Sequence, residues 1–373
     1  MKLLYSSPLY TAQLKKSSKL YTVNLTEDEA SKCCARSFYF ANERIMTPYL
    51  HIIRWKNLVF LVLIQWLMQF AVAIPLLKTF GFEITGSNPF FWLLTLATIL
   101  ITAGGYVIND YFDVKIDRIN RPGSVIVGDK ISLKNSILFY QILTGLGSLA
   151  GLAVALSAKS ITLGFILLLT PGLLWFYSAS YKRQFLIGNL IVSLLAALSV
   201  FVVGILAVAQ LKISYGTLLA ETPVPKTIYV WTGGFAVFSF LLTWIREIIK
   251  DIEDIHGDRE LESRTMPIKW GLKKTKFFLY GLIVFTMLAL LHVNFHYINF
   301  EGNFTFRYII FGLILPLISL GIMLYKAQEK ADFHKASTFS KFIMVIGVLY
   351  SLVFYYLLAE KFDISLFGLF MVK

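Results

Sequence analysis

Two runs of carboxylates in this chain share one spacing. Asp110, Asp113 and Asp117 stand at i, i+3 and i+7, and so do Asp251, Asp254 and Asp258. On a helix that spacing places three carboxylates on one face. Six carboxylates around one space repel one another unless cations sit among them. Mg2+ and Ca2+ take oxygen ligands, and Mg2+ commonly joins protein carboxylates to the phosphates of a substrate. Asn109, one turn before Asp113, adds a side-chain oxygen that could orient a ligand or reach a metal. The plainer alternative is a solvated helix end, with Lys115 and Arg118 pairing with the first run and Arg246 and Lys250 with the second. Two equally spaced runs, each beginning where an apolar stretch stops, argue against it.

Basic and polar residues accompany them. Tyr177, Ser178, Lys182 and Arg183 are followed closely by Gly188 and Asn189. Arg offers a planar fork and Lys a point charge, and both suit phosphate oxygens. Arg54 and Asn57 open the first apolar stretch. Lys115, Arg121 and Lys250 are further bases for an anionic group. His256, inside the second run, reads as a loop residue. Cys33 and Cys34 are the only cysteines, adjacent, and offer neither a disulfide framework nor a zinc site.

The elements that must hold these groups are mostly membrane. Of 373 residues, 57% are hydrophobic and 15% charged, with a mean hydropathy of +0.68, too apolar for an ordinary soluble domain. Nine uncharged stretches lie near 58–77, 90–108, 137–156, 161–177, 190–209, 228–245, 277–293, 308–325 and 342–359. Each is close to the roughly 20 residues a helix needs to cross a bilayer, and backbone in lipid must bond internally, which predicts helices. No secretory signal peptide is evident, because Ser6, Ser7 and Pro8 break the first apolar run.

The net charge of +13 is distributed asymmetrically. With nine alternating spans, 28 of the 35 Lys and Arg residues fall on the N-terminal side and seven on the other. That split is the positive-inside pattern. It predicts a multi-pass cell-membrane protein with a cytoplasmic N-terminus, both acidic runs cytoplasmic and the C-terminus outside. The charge therefore reads as topology and anionic-lipid contact, with no nucleic-acid partner.

Residues 1–45 are polar, without a sustained period. They read as a disordered extension, or as residues preceding a natural start at Met46; the membrane domain spans 46–373. The helix carrying the first run should end before Pro122. Thr170-Pro171-Gly172 predicts a kink in the fourth span. The second run should continue the sixth helix and weaken at Gly257. The second and sixth spans share one layout, each delivering an acidic run to the same side.

The order of these motifs resembles a family. Asn-Asp-x-x-Asp-x-x-x-Asp from Asn109, then Tyr-Ser-x-x-x-Lys-Arg before Gly-Asn, then the Asp-x-x-x-Asp of the second loop, is similar to the UbiA-type intramembrane prenyltransferases over roughly residues 50–358. The resemblance implies an all-helical bundle around a cavity open to the cytoplasmic side. It also implies two Mg2+ ions on Asn109, Asp110, Asp113, Asp117, Asp251, Asp254 and Asp258, and a prenyl diphosphate donor. Catalysis would rest on Asp113, Asp254, Lys182 and Arg183. The run from Arg246 to Asp258, followed by Arg264-Thr265-Met266-Pro267, is most similar to geranylgeranylglycerol-phosphate geranylgeranyltransferases. That implies a glycerol-phosphate lipid as acceptor. An aromatic quinone precursor is the alternative acceptor. The first motif departs from a common family form: Gly123-Ser124-Val125 follows Asn120-Arg121-Pro122 where a second Arg-Pro pair is often found.

Charged residues in membrane spans also mark ion-coupled transporters. Transporter acids usually lie near the midplane in broken helices. These lie at helix ends beside bases, which favours the enzyme.

Overall fold

The computed structural model describes residues 3–6, 9–16, 19–25, 47–82, 89–120, 123, 125–260, 262–298, 300 and 302–371. Cys33, Cys34, Met46, Arg121 and Pro122 lie outside the described residues. The chain divides into two compact units, Met1–Ile52 and Ile53–Lys373.

The first unit carries three antiparallel strands, β1 (Leu3–Ser6), β2 (Leu9–Lys16) and β3 (Lys19–Leu25), in the order β1-β2-β3. This differs from the disordered extension expected from the sequence. Only two residues separate consecutive strands, the commonest hairpin spacing. Residues 10–15 also alternate Tyr, Ala and Leu with Thr, Gln and Lys, a pattern too short to register as a sustained period.

The second unit contains, among the described residues, nine helices long and apolar enough to cross a membrane. They are α1 (Trp55–Thr79), α2 (Pro89–Ile119), α3 (Leu133–Ser157), α4 (Ile161–Ala179), α5 (Ile187–Tyr215), α6 (Val224–Glu253), α7 (Met266–Tyr297), α8 (Phe304–Lys326) and α9 (Lys330–Phe362). Each contains one of the predicted stretches. The shortest has 19 residues, about 28 Å at 1.5 Å per residue. Local signals set several starts. Ser132 accepts a hydrogen bond from the Asn135 amide at the head of α3, and Ser160 one from the Leu163 amide at the head of α4.

Two helices contain wide π-helical turns, Met68–Ala73 in α1 and Ile309–Ile314 in α8. A proline follows each, Pro75 and Pro316. Proline has no N–H to donate and its ring crowds the carbonyl of the preceding turn, so the ladder opens there.

Among the described residues, three apolar clusters fill the bundle, a smaller one around Leu77, Leu211 and Ile228 and two larger ones. Of the larger two, one joins α1, α2, α5 and α9 around Met68, Leu94, Leu206 and Phe354. The other joins α6, α7, α8 and α9 around Ile248, Leu279, Leu317 and Ile343. A side chain at Gly204 on α5 would meet the Thr232 hydroxyl of α6 at 2.3 Å, so a glycine lets these helices approach closely. Gln65 of α1 donates to the Ser199 carbonyl of α5 and accepts from Thr98 of α2, both at 3.0 Å, which satisfies a buried amide. Exposed Leu149, Leu156 and Phe165 on α3 and α4 suit contact with lipid.

A cavity of about 250 Å³ lies among α6, α7, α8 and α9, and one of about 30 Å³ among α1, α5, α6 and α9. Both are apolar and neither is lined by an acidic-run residue. The end of the bundle that holds the acidic runs is bridged instead by ion pairs.

Candidate active site

α2 runs uninterrupted to its polar end, so Asp110, Asp113 and Asp117 share one helix as the spacing predicts, described as far as Asn120; Pro122, before which the helix is expected to end, lies outside the described residues. The second run is divided. α6 ends at Glu253, Asp254 is its C-cap, and Asp258 belongs to a separate short helix, Ile255–Glu260. The break comes three residues before Gly257. Asp254 leaves the helical region (φ −98, ψ 11) while its amide still bonds the Lys250 carbonyl at 2.9 Å. His256 sits exposed on the short helix.

Asp110 and Asp113 find their cationic partners in distant segments, Arg54 and Lys182. Lys182 Nζ lies 2.5 Å from Asp113 Oδ1 and 3.3 Å from Asn109 Oδ1. Asn109 also donates to Asp113 Oδ2 at 2.9 Å. Arg54 donates to Asp110 at 2.8 Å while its guanidinium lies 4.9 Å from the centre of the Tyr106 ring. Asn57 donates to the Tyr106 hydroxyl at 3.3 Å, steadying that ring. Lys115 is exposed, and Arg118 turns away to Asp129 at 3.1 Å.

The second run is arranged differently from its expected pairing with Arg246 and Lys250. Both of those bases engage Glu247, at 2.7 and 3.0 Å. Asp251 accepts instead from Asn189 Nδ2 at 2.9 Å. Asn189 thus orients a carboxylate. Asp254 lies 3.8 Å from Lys330, and Asp258 accepts from the Thr265 hydroxyl at 3.3 Å. Ser178 is fully buried and donates to the Leu174 carbonyl of its own helix. Tyr177 lies within electrostatic reach of Asp113, Glu247 and Asp251, between the two runs.

Lys182 and Arg183 occupy a single 3-10 turn, Tyr181–Arg183, before α5. Gly188 sets how closely α5 meets this turn. A side chain there would stand 2.6 Å from Lys182 Cα and 2.8 Å from the Tyr181 carbonyl oxygen. The Arg183 carbonyl accepts from the Arg264 amide at 2.7 Å, tying the turn to the loop that follows the second acidic run.

The electrostatics connect the two runs. Burial lowers the Lys182 ammonium from its ordinary pKa, and Asp113 pulls it back upward. Asp258 is pushed up to about 6, by burial first and then by Asp254 and Asp113; the Thr265 hydrogen bond and Arg183 oppose the shift. Carboxylates from both runs therefore feel one another. Among the described residues no three carboxylate, histidine or cysteine groups are gathered tightly enough to hold a metal. The donor set still fits a hard cation: it is all oxygen, its members repel, and Lys182 supplies positive charge at Asp113. Sequence reasoning missed Glu247, Tyr106, Thr265 and Lys330. Glu247 is one helical turn before Asp251 and has the same face, which is the signal that could have found it.

Comparison with known proteins agrees with this architecture. Residues 72–346 match the UbiA prenyltransferase family. The chain is 31% identical over 304 residues to a digeranylgeranylglyceryl phosphate synthase of Methanosphaera stadtmanae, covering 81% of this chain and 97% of that one. It is also 31% identical over 304 residues to the synthase of that name from Methanothermobacter thermautotrophicus, covering 81% and 93%. A solved structure concerning digeranylgeranylglyceryl phosphate synthase in membranes superposes with a TM-score of 0.56 at 26% identity, over 83% of this chain and 98% of that chain. Nine apolar helices, two facing acidic runs and a basic turn between them thus coincide with a family match over most of the chain: this protein belongs to the UbiA prenyltransferase family.

Proposed function

We propose that the protein transfers a prenyl group from a prenyl diphosphate to the hydroxyl of a glycerol-phosphate lipid. The observation that carries this is the convergence of Lys182, Asp113 and Asn109 opposite the second acidic run, at the polar end of an apolar bundle. A prenyl diphosphate has the same division, an anionic head and a hydrocarbon tail. The named relatives support the glycerol-phosphate acceptor.

In this reading Asn109, Asp110, Asp113, Asp117, Asp251, Asp254 and Asp258 hold two Mg2+ ions. Bound Mg2+ would neutralise the diphosphate and stabilise it as a leaving group. Lys182 and Arg183 meet diphosphate oxygens, the first with a point charge and the second with a planar fork. Negative charge grows on the diphosphate as the carbon–oxygen bond breaks, and these fixed cations stabilise it most at that point. The electron pair of that bond leaves with the diphosphate. The acceptor hydroxyl then bonds to the allylic carbon and releases its proton. Asn189 holds Asp251 in place, and Tyr106 and Tyr177 put aromatic faces near the acidic runs, where water must be kept from the cation.

The 28-to-7 split of basic residues supports placing this end of the bundle in the cytoplasm, with the C-terminus outside. The catalytic domain in this reading begins near residue 46. The test is incubation of purified protein with Mg2+ and labelled prenyl diphosphates of several lengths, against a glycerol-phosphate lipid and an aromatic acid in parallel. Prenylation of the lipid is expected. Prenylation of the aromatic acid alone would replace this acceptor, and no transfer to either would remove the reading.

A further inference from the structure

A second charged cluster, rich in cations, adjoins the acidic runs. Glu247 of α6 is almost buried and carries both Arg246 (2.7 Å) and Lys250 (3.0 Å). Lys341 of α9 lies within electrostatic reach of Arg246, Lys250 and Arg54, which repel it, and of Glu247, which attracts it. Arg54, from the start of α1, also acts on Glu247 while its guanidinium bonds Asp110. Three helices therefore bring four cations together around Glu247 and Asp110, with Asp113 within electrostatic reach of Arg54 and Asp251 within reach of Lys250.

Like charges gathered from separate helices cost energy unless an anion joins them. Hydrogen-bonding capacity is also left over. Arg246 Nε is buried without a hydrogen-bond partner, an uncommon state for a buried donor. Lys341 is exposed at the edge of the cluster, where a ligand could enter. A phosphate monoester carries about −1.5 to −2 charge near pH 7 and three acceptor oxygens, so it can engage several separate cations at once, which a monocarboxylate does less fully. The cluster also has a defined place. Glu247 precedes Asp251 by four residues, about 6 Å along the helix, so a phosphate held here would lie one turn from the second acidic run.

Resting on the reading above, we infer that Arg246, Lys250 and Lys341, with Arg54 at the boundary, form a second anion site that binds the phosphate monoester of the acceptor, separate from the diphosphate site at Lys182 and Arg183. Arg54 links the two, since it contacts Asp110 of the first acidic run. A phosphate anchored beside Glu247 would bring the hydroxyl of its glycerol toward the carbon that the diphosphate releases.

The experiment measures binding to the full-length protein in detergent. The probes are a prenylated glycerol-phosphate lipid, its dephosphorylated alcohol, free glycerol phosphate and inorganic phosphate. Lys341→Gln and Arg246→Gln are each expected to weaken the phosphate lipid about tenfold. They should leave the alcohol and a non-reactive prenyl diphosphate analogue unaffected. Lys335→Gln, also exposed on α9 but paired with Asp332 at 4.0 Å and outside the cluster, should change nothing. Lys341 is exposed, so its variant is expected to fold even if Arg246→Gln does not. Unchanged phosphate-lipid affinity in Lys341→Gln overturns the inference, as does an equal loss of donor-analogue affinity. Inorganic phosphate binding as tightly as the lipid would make free phosphate the ligand and overturn the acceptor assignment. Binding is read without turnover, so failure of the wild type to prenylate the lipid would sink the proposed function while still leaving the cluster decided by the phosphate probes.

Discussion

Lys182 Nζ stands 2.5 Å from Asp113 Oδ1, although 69 residues separate them. Both side chains are largely buried, at 11% and 14% exposure. The pair closes the first acidic run against the turn before α5, and in the metal-free protein it supplies positive charge to a carboxylate assigned to Mg2+. Lys182 is thus a structural partner of Asp113 and, in the proposed function, a phosphate ligand, and the two roles separate experimentally.

Removing the lysine should expose the structural role first. Lys182→Met leaves Asp113 as a buried carboxylate without its cation, a change that typically costs about 3–5 kcal/mol. Thermal unfolding with a chelator should show a lower midpoint than wild type, and added Mg2+ should raise the variant more than the wild type. Equal Mg2+ stabilisation of both would separate Asp113 from the metal. Arg183→Lys keeps the charge and loses the fork, so membrane insertion should persist while the donor KM rises. If the KM and kcat of that variant match wild type, Arg183 serves topology alone.

Asp113→Ala and Asp254→Ala are expected to lower turnover by at least about 10² to 10³, the usual loss when one transition-state stabiliser is removed. Both proteins should still insert in the membrane. Near-normal activity in either would end the assignment of that carboxylate to the site.

Gly188→Ala tests the close approach of α5. The added carbon would meet Lys182 Cα at 2.6 Å, backbone that can yield only by moving the turn. Overpacking of this kind costs about 1–3 kcal/mol. The expected result is reduced kcat in a protein that keeps its helical circular dichroism. A variant with unchanged kinetics would mean that the 181–183 turn shifts without consequence for catalysis.

Asp258, with its pKa pushed up to about 6, gives a pH signature. Between the ordinary value, about 3.9, and that point, the folded protein holds a proton that the unfolded chain has released. Stability of the metal-free protein should therefore fall as pH rises through this window. Mg2+ needs the carboxylate, so its apparent affinity should rise from pH 5 to 7 and level off above, with a proton released on binding. Calorimetry in two buffers of different ionisation enthalpy measures that proton. Affinity independent of pH over this range would remove Asp258 from the ligand set.

Topology offers a final check. Reporter fusions after Ile245 should be cytoplasmic and fusions after Lys373 external, from the distribution of basic residues. A cytoplasmic C-terminus would contradict the proposed orientation.

The sequence revealed the nine helices because lipid demands long apolar runs, and such runs are local properties of a chain. It revealed the carboxylates because equal spacing survives in one dimension. It did not reveal their partners. Arg54 and Asp110 are 56 residues apart, and Asn189 and Asp251 62 apart, so those bonds depend on which helices pack together. The break at Asp254 was also hidden, since neither Gly nor Pro marks it, and so were the widened turns before Pro75 and Pro316. The strands of the N-terminal unit escaped notice for another reason, being too short to build a period.

The break in the second acidic run divides it mechanically. Asp251 rides on a long helix anchored in the bundle, whereas Asp258 rides on a six-residue helix held by Thr265 and by the loop bonded to Arg183. Opening that short helix sacrifices few apolar contacts, so it forms a unit of low local stability beside one of high stability. In hydrogen exchange the amides of residues 255–260 should exchange well before those of 241–252, and bound donor should slow the first group selectively. If Asp258 holds the diphosphate's metal as proposed, half of the second run can move when that group leaves without disturbing the membrane-embedded helix that carries the other half.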